Sequence, residues 1–247
     1  MAGDQPPRGT VPRETGSLGA CPACGGPLFP WVEARAYDAR RDEEYLLDRC
    51  EACGSGVARS AAVHPGSGPT PEAAADAELD DLLRGVAEDG EIRIPDRRSL
   101  QAAIGEGKWA ALELPERPLA LTPAGLEALL ARRGLAAGSI GHSPVGRNQR
   151  WMWQTLLNAL TFEPNFAREA LAGRRRPGSG RALATFVVDC VVSVLAAPLV
   201  ALLSFPLEIV AALAGRGGEM RVRVVPADET DQESSRNATA SSSEEPS

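Results

Sequence analysis

Cys21-Pro-Ala-Cys24-Gly25-Gly26 and, further along, Cys50-Glu-Ala-Cys53-Gly54 decide how the N-terminal part of this chain folds. Each pair turns two thiolates toward one point, and two such pairs supply the four sulfurs of a tetrahedral ion. A glycine follows the second cysteine both times. A chain looping around a metal directs backbone N–H groups at sulfur, and glycine accepts the positive φ this requires. Segments 29–37 and 45–48 read as strand arms separating the two knuckles. The pattern is that of a zinc ribbon over 19–60, with Cys21, Cys24, Cys50 and Cys53 as ligands. The competing reading, redox-active or unpaired cysteines, does not account for a duplicated pair with glycine brackets. With sulfur in every position, no place is left for water or substrate, so the expected zinc is a structural staple for a segment too small to have its own core.

The chain is 247 residues long with a net charge of -7, and 43% of its residues are hydrophobic but only 4% aromatic. That allows a medium domain with a Leu/Val/Ala core beside the ribbon. The negative balance excludes a general nucleic-acid binder, which needs a basic face. The first twenty residues, broken by Pro6, Pro7, Gly9 and Pro12, hold no apolar stretch and are not a secretory signal. A cytoplasmic location follows as the expectation, with reduced cysteines available to metal. Residues 1–18 read as a disordered leader, 61–75 as a Pro/Gly linker, and the acidic, Ser-rich 227–247 as a disordered tail.

Between linker and tail, the domain 76–226 shows helix and strand signals in turn. Leu79, Leu82, Leu83 and Val86 form one side of a helix over 76–87. Glu91-Ile-Arg-Ile-Pro95 alternates as a strand does, and 219–225 alternates again, with Met220, Val222 and Val224 facing one way. These two are expected to pair in a small sheet. Ser99 can cap a helix over 100–104, and Thr122-Pro123 starts another over 122–133, a hydroxyl cap followed by proline at the first helical position. Helices are expected over 151–160 and 165–172, and a loop over 136–150.

Gly90-Glu-Ile-Arg-Ile-Pro-Asp96, Gly107-Lys-Trp109, Leu114-Pro115, Leu121-Thr-Pro-Ala-Gly-Leu126 and Arg133-Gly134 occur in that order. The order resembles the second half of class I S-adenosylmethionine-dependent methyltransferases of the zinc-ribbon-led bacterial type. The N-terminal ribbon, the Trp-led helix from Trp151, the apolar segment and Gly215-Arg-Gly-Gly218 before a last strand are similar to that group as well. The resemblance implies a Rossmann-like fold. It also implies a cofactor half between ribbon and first strand, and that half is missing. No glycine cluster here sits between a strand and a helix, as a cofactor-binding turn requires. Arg117-Pro118 stands where the family carries a Pro-His pair. S-adenosylmethionine binding is therefore not expected, and no catalytic or cofactor-binding residue is assigned. The fold class that results is α+β: a zinc ribbon followed by a truncated Rossmann-like methyltransferase remnant with a long apolar helical segment.

That apolar segment covers 182–214. Between 191 and 213 only Glu208 is charged, and the length suffices for a membrane span. Arg174, Arg175, Arg176 and Arg181 precede it and Arg216 follows. Asp189, Glu208, Pro198 and Pro206 argue against a simple span. Two short helices meeting near 198–206 is the alternative, dipping into a membrane surface or packing on the protein. Spanning, interfacial and soluble-core arrangements stay open, with membrane contact at the inner face favoured. His64 and His142 read as surface histidines without partners. Asp96, Arg97 and Arg98 read as a solvated turn, Trp109, Trp151 and Trp153 as core or interface anchors, Cys190 as a small apolar residue, and Glu163 and Asn165 as a cap. The function expected is a non-enzymatic scaffold or regulatory protein that pairs with a partner, or with its own copy, through an exposed sheet edge. The alternative is a methyltransferase whose cofactor site comes from a partner chain.

Overall fold

The computed structural model describes residues 18–35, 44–60, 71–86, 90–143 and 146–228. The expected leader up to residue 17, most of the linker with His64, and the tail beyond 228 lie outside the described residues. The fold mixes helix and sheet, as an α+β chain does.

Three strands make the ribbon: β1 (Leu28–Arg35), β2 (Glu44–Cys50) and β3 (Gly56–Ser60), antiparallel in that order. The two-residue β5 (Leu119–Ala120), from the following domain, joins the β3 edge. Side chains of a strand alternate between faces, and here both faces are covered. Val57 and Leu119 enter one core, with Leu79, Leu126, Leu129 and Leu130. Leu47, Tyr45 and Ala120 enter a second, with Trp109, Leu112 and Leu114. Residues from the ribbon and from the rest of the chain thus share the same two cores.

The helix α1 (Pro71–Arg84) brings Leu79 and Leu82 to the first core. The expected pairing of β4 (Glu91–Pro95) with the last strand, β7 (Glu219–Pro226), is present: Ile92 lies opposite Val222 and Ile94 opposite Met220, all four buried. Such facing apolar pairs hold an antiparallel sheet together. On the other side of β7 runs β6 (Leu135–His142), which corrects the loop expected over 136–150. The segment Leu-Ala-Ala-Gly-Ser-Ile-Gly-His has few β-formers, so its strand character comes from pairing with β7 rather than from its own residues. Its register shifts between Ala137 and Ser139, where a Cβ on Gly138 would press within 3.3 Å of Val225. Both β4 and β6 are antiparallel to β7, so they run the same way, with α2 (Leu100–Gly105) and α3 (Pro123–Ala131) in the connection between them.

Both capping expectations hold. Ser99 Oγ accepts from Ala102 N–H at 3.1 Å, and Thr122 Oγ1 accepts from Gly125 N–H at 3.1 Å with Pro123 opening α3. After α4 (Arg147–Leu160) and α5 (Phe166–Leu171) comes α6 (Arg181–Leu213), one helix of 33 residues. The two short helices expected here are therefore a single helix. Pro198 and Pro206 sit inside it at exposed positions. Among the described residues, α6 alone is long and apolar enough to cross a membrane.

Candidate metal centre and the docked apolar helix

The two knuckles share one local design. Gly25 N–H donates to Cys21 C=O at 2.7 Å, and Gly54 N–H donates to Cys50 C=O at 3.0 Å. Both glycines take positive φ, +75° and +76°. Gly26 is needed for space: a Cβ there would lie 3.0 Å from Cys50 Sγ and 2.7 Å from Ala52 Cβ. The folded turns bring Cys21, Cys24, Cys50 and Cys53 together, with ligand atoms all within 4.8 Å of one another, so the four could hold a metal ion. Bonds of about 2.3 Å in a tetrahedron set sulfurs about 3.8 Å apart. Cys21 Sγ to Cys53 Sγ measures 3.8 Å and Cys24 Sγ to Cys50 Sγ 3.5 Å, so the set fits.

Protonation fits as well. The Cys21 thiol, hydrogen-bonded to Cys53, pulls the Cys53 thiol down to about 4, aided by Ser55. Cys21 moves the opposite way, raised by that same bond and then by burial, and burial also raises Cys24. Cys53 gives up its proton readily, whereas Cys21 and Cys24 hold theirs more firmly, to be displaced by a cation.

The second knuckle is bolted to α3. Thr122 Oγ1 donates to Cys53 C=O at 2.6 Å, and Thr122 N–H donates to Ser55 Oγ at 3.1 Å. The first knuckle is held by Arg132, which donates to Pro22 C=O at 2.7 Å. Cys21 and Cys50 lie in the same apolar core as Leu126, Leu129 and Val222.

A second constellation joins α6 to the body. Asp189, Ser193, Val200, Ser204, Glu208 and Ala211 are buried and follow one another at spacings of three, four and seven, a single stripe along the helix. The Asp189 carboxylate accepts from the N–H groups of Phe162 (2.9 Å) and Glu163 (3.1 Å). The Glu208 carboxylate accepts from Gln101 (2.6 Å), Asn148 (2.9 Å) and Gly218 N–H (2.7 Å). Both carboxylates are fully buried. The opposite face is bare: Val194, Leu195, Leu202 and Leu213 are 72%, 74%, 72% and 84% exposed. In the sequence, Asp189 and Glu208 stand as obstacles to a span. Their common face with Ser193 and Ser204 was the available signal that they turn inward.

Other expectations change in detail. His142 has a partner: its Nε2 lies 2.9 Å from Asp96 Oδ2, and Asp96 is fully buried rather than part of a solvated turn. The Arg97 guanidinium carbon lies over the Trp31 ring, 3.5 Å from its centre. Trp109 is core. Trp151 packs against that core with Arg147 over its ring, while Trp153 and Cys190 are partly buried. Glu163 pairs with Arg35 and Arg175, and Asn165 occupies the N-cap of α5. Compared with known protein families, with curated proteins and with solved structures, the chain matches none.

Proposed function

We propose that this chain is a non-catalytic scaffold or regulatory subunit, stapled by a structural zinc ion and held on a membrane surface by α6. Zinc is the ion assigned because four thiolates at tetrahedral spacing suit it and leave no coordination position for chemistry. The observation that carries the membrane reading is the orientation of α6. A surface helix normally buries its apolar side. Here the polar stripe is buried and the aliphatic side is bare. Aliphatic surface on this scale marks contact with lipid or protein. Arg176 and Arg181 at one end and Arg216 at the other are exposed and make no ion pair among the described residues. Such cationic flanks suit anionic lipid.

A perpendicular span does not suit this helix. Thirty-three residues rise about 50 Å, against a hydrocarbon core of about 30 Å. Asp189 and Glu208 are tied to groups from α2, α4 and the adjoining loops, and a span would draw those into hydrocarbon. Lying in the membrane plane, α6 keeps its polar stripe on the water side. The zinc-loaded chain is expected to float with vesicles of phosphatidylcholine and phosphatidylglycerol. A Leu195→Asp, Leu202→Asp double variant, altered only at exposed positions, should stay folded by circular dichroism and remain in the bottom fraction. A wild-type chain that does not float sinks the membrane reading.

A second reading keeps methyl transfer. In it the chain completes an S-adenosylmethionine-dependent methyltransferase whose cofactor site comes from a partner, docked at a free edge of the β4–β7–β6 sheet. The common direction of β4 and β6, with helices between them, favours it, because that is a crossover unit with β7 inserted. Titration calorimetry with S-adenosylmethionine on the chain alone should show no binding. Micromolar binding would overturn the missing-half argument on which both readings rest.

A further inference from the structure

Beside the second knuckle lies a cleft of about 850 Å³. Four arginines from three parts of the chain line it: Arg49 from the end of β2, Arg97 and Arg98 from the turn before α2, and Arg216 from the segment after α6. Among the described residues two acids, Glu51 and Glu106, line it with them, so guanidinium groups outnumber carboxylates there. Trp31 forms one wall, with the Arg97 guanidinium carbon seated over its ring. Partners for these cations are few. Arg98 lies 3.9 Å from Asp96, whose other oxygen faces His142. Arg216 Nε donates to Arg98 C=O at 3.2 Å. Arg49 makes no ion pair with any described residue, and Arg97 Nε is buried without an acceptor. Burial, and then the nearby Arg49, push Arg97 down to about 10. Proteins seldom gather guanidinium groups in one concavity unless an anion compensates them, and planar guanidinium donors match phosphate oxygens.

We propose that this cleft binds a phosphate group, with Arg97, fixed on Trp31, and Arg49 as its principal donors and Arg98 and Arg216 closing the rim. The cleft is far larger than one phosphate, so the group belongs to a larger molecule. That molecule is either a soluble phosphorylated compound or a phospholipid headgroup delivered at the C-terminal end of α6, whose following residues Ala214 and Gly215 form part of the rim. This inference uses neither the membrane reading nor the methyltransferase reading.

The test uses the full zinc-loaded chain at low salt. Calorimetry measures inorganic pyrophosphate, and flotation uses phosphatidylcholine vesicles with and without phosphatidic acid. Arg49→Ala, at an exposed position, and Arg97→Lys are expected to weaken the interaction about tenfold each. Glu106→Gln, which removes an opposing charge, is expected to strengthen it. Pyrophosphate binding with this pattern supports the site with a soluble ligand. The pattern in phosphatidic-acid flotation alone supports it with a headgroup. Absence of both, or binding indifferent to all three variants, overturns it. A wild-type chain that binds pyrophosphate with this pattern yet does not float with vesicles would separate failure of the membrane reading from failure of this one.

Discussion

Changing Cys50 to serine is expected to unfold the protein and not merely to empty a site. Cys50 is fully buried, ends β2, and belongs to both the four-sulfur cluster and the main apolar core. Structural zinc in small modules supplies roughly 10–16 kcal/mol of apparent binding energy at neutral pH. A domain's whole stability is about 5–15 kcal/mol. In an isolated ribbon the loss would stay local. Here Thr122 ties the second knuckle to α3 and Arg132 ties the first, so the loss spreads into the packing of Leu126 and Leu129. The wild-type chain should contain about one zinc per chain. Cys50→Ser should contain none and lose its cooperative thermal transition, and strong chelators should do the same to the wild type. Acid should also weaken the metal, since Cys21 and Cys24 take up protons more readily than ordinary thiols and protons compete with the ion. A metal-free chain that melts at the wild-type temperature would refute the staple.

Glu208→Ala should be the most damaging change outside the metal centre. The carboxylate serves three donors, Gln101, Asn148 and Gly218 N–H, all in buried surroundings. Each donor left without an acceptor costs about 1–3 kcal/mol. Neighbouring losses share relaxation, so about 3–5 kcal/mol in total is expected. Gly218 makes the site hard to repair, because a Cβ there would sit 2.1 Å from Gln101 Nε2 and little room exists for rearrangement. Urea denaturation should show the lower midpoint, and hydrogen exchange should show the C-terminal half of α6 opening first. Glu208→Gln retains one acceptor oxygen but faces a donor with its amide, so an intermediate loss is expected.

The parts of this architecture legible in the sequence are those with local chemistry. The glycine-bracketed cysteines, the Ser99 and Thr122 caps, and the alternation of β4 and β7 each carry their signal within a few residues. β6 carried none, because an Ala/Gly-rich segment becomes a strand only when β7 offers it a partner. The continuity of α6 was hidden by Pro198 and Pro206, which read as breaks yet sit inside the helix at exposed positions. Its orientation was hidden by composition. Asp189 and Glu208 look like defects in an apolar run until their shared face with Ser193 and Ser204 is counted, and their donors come from residues far away in the chain. The arginine cleft was illegible for the same reason: Arg49, Arg97 and Arg216 are brought together only by the fold.

In the proposed reading, α6 lies in the plane of a membrane with its polar stripe turned to the protein. Val188, Leu195, Leu202 and Leu213 fall on one side of the helix, and all four are exposed. Nitroxide labels placed at these positions one at a time, on vesicle-bound protein, report immersion depth through their accessibility to oxygen and to a polar quencher. One shallow depth shared by all four positions is expected of an in-plane helix. A depth that is greatest near Leu195 and Leu202 and falls toward both ends would mean a span, and four labels untouched by lipid would mean that α6 faces a protein instead. Either result would contradict it.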